Sequence, residues 1–112
     1  MIQMTDLIFL KLGGSLITYK NIPRTARSEV IARLAGEIHA IKESDGDVGL
    51  ILGHGSGSFG HVSAKKYGTR QGVNTTVEWG GFAEVWFQAA TLNRILIEAL
   101  ISVGLPAITF PA

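Results

Sequence analysis

The chain has 112 residues, 46% of them hydrophobic, and a net charge of +1, with a mean hydropathy of +0.29. That length suits about one small domain with a real core, and so balanced a charge argues against bulk attraction to nucleic acid or to a membrane surface. There is no cysteine, which excludes disulfides and thiolate metal sites. The N-terminus lacks a basic region followed by a long apolar stretch, and no apolar run approaches the ~20 residues of a membrane span. These features lead us to expect a soluble cytoplasmic protein.

The first predicted element is Leu7 to Leu12, an apolar run interrupted by Lys11 and typical of a strand buried on both faces of a parallel sheet. A lysine at the end of such a strand calls for a partner or an anion. Gly13-Gly14-Ser15 follows at once, and ligands of open α/β sheets gather at the carboxyl ends of strands. Residues 16–27 read as a polar connection carrying Lys20, Arg24 and Arg27, kept from helix by Pro23. Ser28 is an N-cap candidate for an amphipathic helix to about Glu43, with Ile31, Leu34, Ala35, Ile38 and Ile41 at helical spacing and His39 at the surface. Asp45-Gly46-Asp47 closes it with turn chemistry. The apolar run Val48 to Leu52 should then be a second strand parallel to the first.

Residues 53–61 read Gly-His-Gly-Ser-Gly-Ser-Phe-Gly-His. Glycine weakens both helices and strands, so four in eight positions point to a sharp turn or a close backbone approach to a ligand. Successive N–H groups at such a turn form an anion cradle, and His61 adds a donor where the loop ends. Gly55-x-Gly57-x-x-Gly60 satisfies the dinucleotide fingerprint, but the acidic residue expected about 20 positions on is matched only by Glu78 and Glu84, predicted in a loop and a helix. The spacing also resembles a P-loop, with His61-Val62 in place of Lys-Ser/Thr. A ligand-free turn is the third alternative. Charge favours an anion: neither Leu7 to Ser28 nor Gly53 to Val77 holds an acidic residue, whereas they carry Lys11, Lys20, Arg24, Arg27, Lys65, Lys66 and Arg70.

Val62 to Tyr67 is helical in pattern, and Gly68 to Val77 polar and irregular. Gly80-Gly81 is predicted to open a long helix with Phe82, Val85, Trp86, Ala89, Leu92, Leu96 and Leu100 on one face, ended by Gly104 and Pro106. Its aromatic first turns pack as core or form a ligand wall. Ala107 to Phe110 reads as a third strand, and no repeats occur.

The segments Lys11-Leu-Gly-Gly-Ser-Leu-Ile-Thr-Tyr-Lys20 and Gly53-His-Gly-Ser-Gly-Ser-Phe-Gly-His61 resemble isopentenyl phosphate kinase, of the amino acid kinase superfamily. Arg-Thr-Ala-Arg at 24–27, Ala-Lys-Lys-Tyr-Gly at 64–68, Leu92-Asn93, Glu98-Ala99-Leu100 and Gly104-Leu-Pro-Ala107 add to the likeness. The resemblance implies a three-layer α/β/α sandwich with a mainly parallel open sheet. It also implies transfer of the ATP γ-phosphoryl group to isopentenyl phosphate, in isoprenoid biosynthesis. Lys11, Leu12, Gly13, Gly14, Ser15 and Gly57 would hold ATP phosphates, and Gly55, Ser56 and His61 the acceptor phosphate. Lys20 would stabilise the transition state, making Lys11, Lys20 and His61 the catalytic set.

By the same likeness, the helix bearing Phe82, Val85, Trp86 and Ala89 would lie beside the prenyl tail. Mg²⁺ would come with ATP, held largely by the phosphates and not by a protein metal site. The family usually has glycine where Ser56 stands, which would strain the serine if φ were positive there. Fosfomycin-type or other small-phosphate kinases share the loop-closing histidine and are the nearest alternative; a nucleotide-binding Rossmann module is the alternative from another class. Family members run to roughly twice this length or more, with the adenine and ribose site in the C-terminal half. Residues 1–112 are therefore expected to be an N-terminal, acceptor-phosphate portion. A homodimer and a complementing C-terminal chain both fit this expectation.

Overall fold

The computed structural model describes residues 6–60 and 75–110. Strands β1 (Asp6–Leu12) and β2 (Val48–His54) pair in parallel, in register from Asp6 opposite Val48 to Leu12 opposite His54. Between them run a single-turn helix α1 (Gly14–Ile17), a loop, and helix α2 (Ser28–Ser44). Helix α3 (Thr76–Ser102) follows β2 and the glycine loop. The parallel α/β architecture expected from the sequence is therefore present.

The two-residue period of a strand sorts its side chains. Leu10, Leu12, Leu50 and Leu52 turn toward α2 and α3 and join the core, which gathers Leu12, Ile17, Ile31, Phe59, Leu92 and Leu96 in one cluster and Ala35, Ile38 and Leu100 in a second. Leu7, Phe9, Lys11 and Ile51 occupy the other face and are exposed, Phe9 by 68%. Here the expectation of a strand buried on both faces is corrected: among the described residues helices cover one face only. Lys11 accordingly keeps its ammonium in water and needs no buried partner.

Helix α2 starts at Ser28 as a helical residue, with Arg27 at the N-cap, and buries Val30, Ile31, Ala35 and Ile38. Ile41, expected on the apolar stripe, is exposed. The Lys42 ammonium donates to the Val48 carbonyl and ties the end of α2 to the start of β2. In the turn between them, Asp47 N–H donates to Asp45 Oδ1 at 3.3 Å.

Helix α3 begins at Thr76, earlier than the glycine pair suggested. Thr75 Oγ1 accepts from Glu78 N–H at 3.1 Å and Glu78 Oε2 accepts from Thr75 N–H at 3.0 Å, a capping box that satisfies two otherwise orphaned donors. Glu78 thus lies in the helix, and Gly80-Gly81 inside it. The predicted C-terminus holds: Gly104 has φ 90°, its N–H donates to Ile101 O at 2.9 Å, and Leu105 N–H donates to Leu100 O at 3.1 Å, the Schellman arrangement. Ala107 to Phe110 is not a strand, so the sheet has two strands among the described residues. A local bond from Ala107 N–H to Leu105 O and the Thr109 side chain hold this segment instead. It leaves an apolar cavity of about 500 Å³ beside Leu50, Leu52, Leu96 and Leu100. Among the described residues no helix is long and apolar enough to cross a membrane.

Candidate active site

The two glycine loops leave the carboxyl ends of adjacent parallel strands and meet. A Cβ on Gly14 would stand 2.6 Å from Gly57 N and 2.8 Å from its Cα, so glycine is required by the approach of one backbone to the other. Gly57 has φ 53°, a conformation that side chains rarely adopt. Thr18 locks the contact: its hydroxyl donates to Gly14 O at 2.6 Å and accepts from Ser58 N–H at 3.0 Å. With 1% of its surface exposed, Thr18 makes these bonds away from competing water.

The loop carrying Lys20 is pinned to the same junction. It is closed by a bridge between Thr18 and Ala26, by Tyr19 N–H to Thr25 O at 2.9 Å, and by Arg27 N–H to Ile17 O at 2.8 Å. Ser58 holds its far side, accepting from Arg24 N–H at 3.1 Å through its carbonyl and from Thr25 N–H at 3.3 Å through its hydroxyl. Arg24 pays for this with φ 52°. Outside the pocket, Tyr19 donates to Glu29 Oε1 at 2.7 Å, and the Arg27 guanidinium carbon lies 5.3 Å from the Tyr19 ring centroid. The bond to the Glu29 carboxylate, reinforced by its charge, raises the Tyr19 pKa. The same bond lowers that of Glu29.

The result is a pocket of about 270 Å³ lined by Gly14, Ser15, Thr18, Lys20, Gly55, Ser56 and Gly57. Its walls offer hydroxyls, backbone amides and one ammonium, with no carboxylate. The N–H groups of Ser56 and Gly57 find no acceptor among the described residues, whereas Gly55 N–H donates to Leu12 O at 3.4 Å. Ser56 does not have a positive φ, so a serine at this position carries no backbone strain.

The sequence profile of the amino acid kinase family matches residues 6–112. The chain belongs to this family. It is 37% identical over 112 residues to the isopentenyl phosphate kinase of Methanocaldococcus jannaschii, covering 92% of this chain and 42% of that protein. It is 31% identical over 105 residues to that of Thermoplasma acidophilum, covering 94% and 40%. The solved product complex of the T. acidophilum isopentenyl phosphate kinase superposes with a TM-score of 0.81 at 32% identity, over 95% of this chain and 42% of that one. The chain therefore spans about two fifths of the length of the curated relatives it matches.

Within this member of the amino acid kinase family, the sequence-predicted residues divide into four groups. Gly14, Ser15, Lys20, Gly55, Ser56 and Gly57 come together around the pocket. Lys11, Leu12 and Gly13 stand just behind it: Lys11 is exposed opposite Gly53, Leu12 is buried in the core, and Gly13 caps α1. His61 lies outside the described residues, as do Lys65, Lys66 and Arg70. On α3, Val85 packs beside the loop's end, its Cγ1 3.4 Å from where a Cβ of Gly60 would be. Ala89 is half-buried, while Phe82 and Trp86 are exposed, Trp86 by 54%. Thr18 and Ser58, which hold the loops together, were not singled out by sequence; each reads as an ordinary polar residue until the fold brings them together, 40 positions apart.

Proposed function

We propose that this chain supplies the acceptor-phosphate side, and part of the ATP-phosphate side, of an isopentenyl phosphate kinase. The reaction moves the γ-phosphoryl group of ATP onto the phosphate of isopentenyl phosphate, giving isopentenyl diphosphate. The observation that carries this reading is the meeting of the two glycine loops at Gly14 and Gly57, with Lys20 beside them and two loop N–H groups that find no acceptor among the described residues. The two relatives compared above, both isopentenyl phosphate kinases, support the choice of acceptor.

The chemistry suits these residues. A phosphate monoester has a second pKa near 6, so at neutral pH the acceptor is already mostly the dianionic nucleophile and needs no catalytic base. The difficulty is bringing two polyanions together, and fixed positive groups and N–H dipoles aimed at the transferring phosphoryl meet it. Lys20 stabilises charge on that group, Ser56 and Gly57 donate N–H groups to the acceptor phosphate and to ATP respectively, and Gly13 to Ser15 face the ATP phosphates. Lys11, exposed one residue ahead of Leu12 and Gly13, is available to the same phosphates. His61, immediately after Gly60, completes the acceptor site by the family likeness. The donor set does not fit a protein-held divalent ion, and Mg²⁺ enters as part of the nucleotide substrate. Val85, beside Gly60, supports a prenyl tail running along α3 past Phe82, Trp86 and Ala89.

Two observations weigh against a dinucleotide module: Glu78 is engaged in the capping box of α3, and Glu84 accepts from Gln88 at 3.3 Å in the same helix. We read residues 1–112 as one portion of a complete kinase acting in the cytoplasm, where ATP is at hand. The bare apolar face of Leu7, Phe9 and Ile51 supports further polypeptide covering it, continuous or separate. Phosphoryl transfer from labelled ATP is the test, run on a complete enzyme bearing these residues, with isopentenyl phosphate and fosfomycin as rival acceptors. Lys20→Ala should lower kcat by roughly 10²–10³ with little change in acceptor KM, as expected when a group acts on transition-state charge. Transfer to fosfomycin in preference, or a Lys20→Ala effect confined to KM, would replace this assignment.

A further inference from the structure

The sequence places a histidine at the second position of the glycine segment, and nothing in the phosphoryl chemistry above uses it. His54 ends β2, with its imidazole Nδ1 2.8 Å from the Gly55 carbonyl oxygen and its Nε2 2.9 Å from Asn93 Nδ2 on α3. Thr109 Oγ1 lies 2.6 Å from Asn93 Oδ1. A carbonyl can only accept, so Nδ1 carries the proton, and in a neutral imidazole Nε2 is then an acceptor. The Asn93 amide donates to it and uses its own oxygen to accept from the Thr109 hydroxyl. The chain of bonds runs in one direction, Thr109 to Asn93 to His54 to Gly55. The other neutral tautomer would set a lone pair against the Gly55 oxygen and an N–H against an NH₂.

The carbonyl of Gly55 and the N–H of Ser56 belong to one peptide plane, and in a trans peptide they point in opposite directions. No cis peptide is present among the described residues. A glycine-flanked plane of this kind rotates easily unless something holds it. We propose that His54 is a positioning residue for the glycine loop: Asn93 holds its imidazole as the Nδ1–H tautomer, and the imidazole holds the Gly55 carbonyl, aiming the Ser56 N–H at phosphate. This rests on the functional reading above for the identity of the ligand, but the tautomer and the loop geometry stand without it. Helix α3 and the segment at Thr109 thereby reach the phosphate loop through three hydrogen bonds.

The experiment uses a complete enzyme bearing these residues, labelled for NMR, first without ligand and then titrated with inorganic phosphate and with isopentenyl phosphate. The imidazole nitrogen shifts should report Nδ1 protonated and Nε2 bare; the reverse pattern overturns the proposal whatever the chain binds. Asn93→Leu should mix the tautomers, shift the Ser56 amide and Gly55 carbonyl resonances, and weaken phosphate about three- to tenfold, the worth of one neutral hydrogen bond. His54→Asn, which keeps an N–H donor near the Nδ1 position, should retain most of the affinity that His54→Leu loses. Unmoved tautomer and loop resonances in Asn93→Leu, or equal losses in the two His54 variants, would make the residue a packing element. Failure of the wild-type enzyme to bind either phosphate would count against the kinase reading, while the ligand-free resonances still decide the role of His54.

Discussion

At the carboxyl ends of β1 and β2 the chain is held by backbone contacts that leave no room for one methyl group at Gly14, while across the bare sheet face and the first turns of α3 large side chains such as Phe9, Trp86 and Phe87 lie open. The two regions differ in what their residues are for. Around Gly14, Thr18, Gly57 and Ser58 the hydrogen bonds from Ser58 N–H to Thr18 and from Arg24 and Thr25 N–H to Ser58 fix one loop against the other, so geometry is set before any ligand arrives, as electrostatic stabilisation requires. Along Phe82 and Trp86, where we propose that a prenyl tail lies, nothing of that kind is needed, since an apolar tail is recognised by area and not by direction.

The sharpest way to break this contrast is Gly14→Ala. The new methyl would meet the backbone of Gly57 at 2.6 Å, and only movement of a whole loop relieves it. We expect a cost of about 1–3 kcal/mol, a fall in Tm of roughly 5–20 °C, and loss of phosphate binding, measured by calorimetry and titration. Gly13→Ala, one residue earlier in open space with φ −65°, should stay within about 0.5 kcal/mol of wild type. Comparable losses in both would show that flexibility, and not close approach, is what these positions need.

Next in size is Thr18→Val, which keeps the shape and removes the hydroxyl. Ser58 N–H is then buried without its acceptor, at about 1–3 kcal/mol. Chemical denaturation should show that loss, together with a larger acceptor KM in a complete enzyme because Ser58 also anchors the Lys20 loop.

On the other side of the comparison, Trp86→Ala removes an exposed ring, and Tm should move little, within about 0.5 kcal/mol of stability. Substrate choice should move instead: each CH₂ newly buried is worth about 0.8 kcal/mol, so kcat/KM in a complete enzyme should shift toward geranyl phosphate. A large stability loss with unchanged chain-length preference would return Trp86 to the core. The smallest effect belongs to Glu29→Gln. The Glu29 pKa is lowered in the fold, so its contribution is present above the ordinary carboxylate range and disappears as pH falls through the folded pKa. That of Tyr19, whose pKa is raised, disappears as pH rises past the ordinary tyrosine range. Wild type and variant should differ slightly in Tm at neutral pH and converge in acid.

Much of this was legible in the chain itself. The apolar runs at 7–12 and 48–52, the helical spacing from Ile31 to Ile38, and the crossover between the strands determine a parallel pair, because alternation and period follow from local backbone geometry. Glycine density at 13–14 and 53–60 marked the loops, since that residue type is needed where backbones approach. The Thr75 and Glu78 capping box was written there too, though the glycine pair at 80–81 drew attention away from it. Tertiary structure alone decided which glycine faces which, that Thr18 and Ser58 join the loops, and that His54 reads Asn93 and Thr109 across the fold. These are contacts between residues 16 to 43 positions apart, and no local pattern encodes them. It alone decided as well that Lys11 stays in water and that residues 107–110 remain outside the sheet. Burial and strand pairing depend on what lies alongside an element, and a run of apolar residues reads the same whether or not a neighbour is there to cover it.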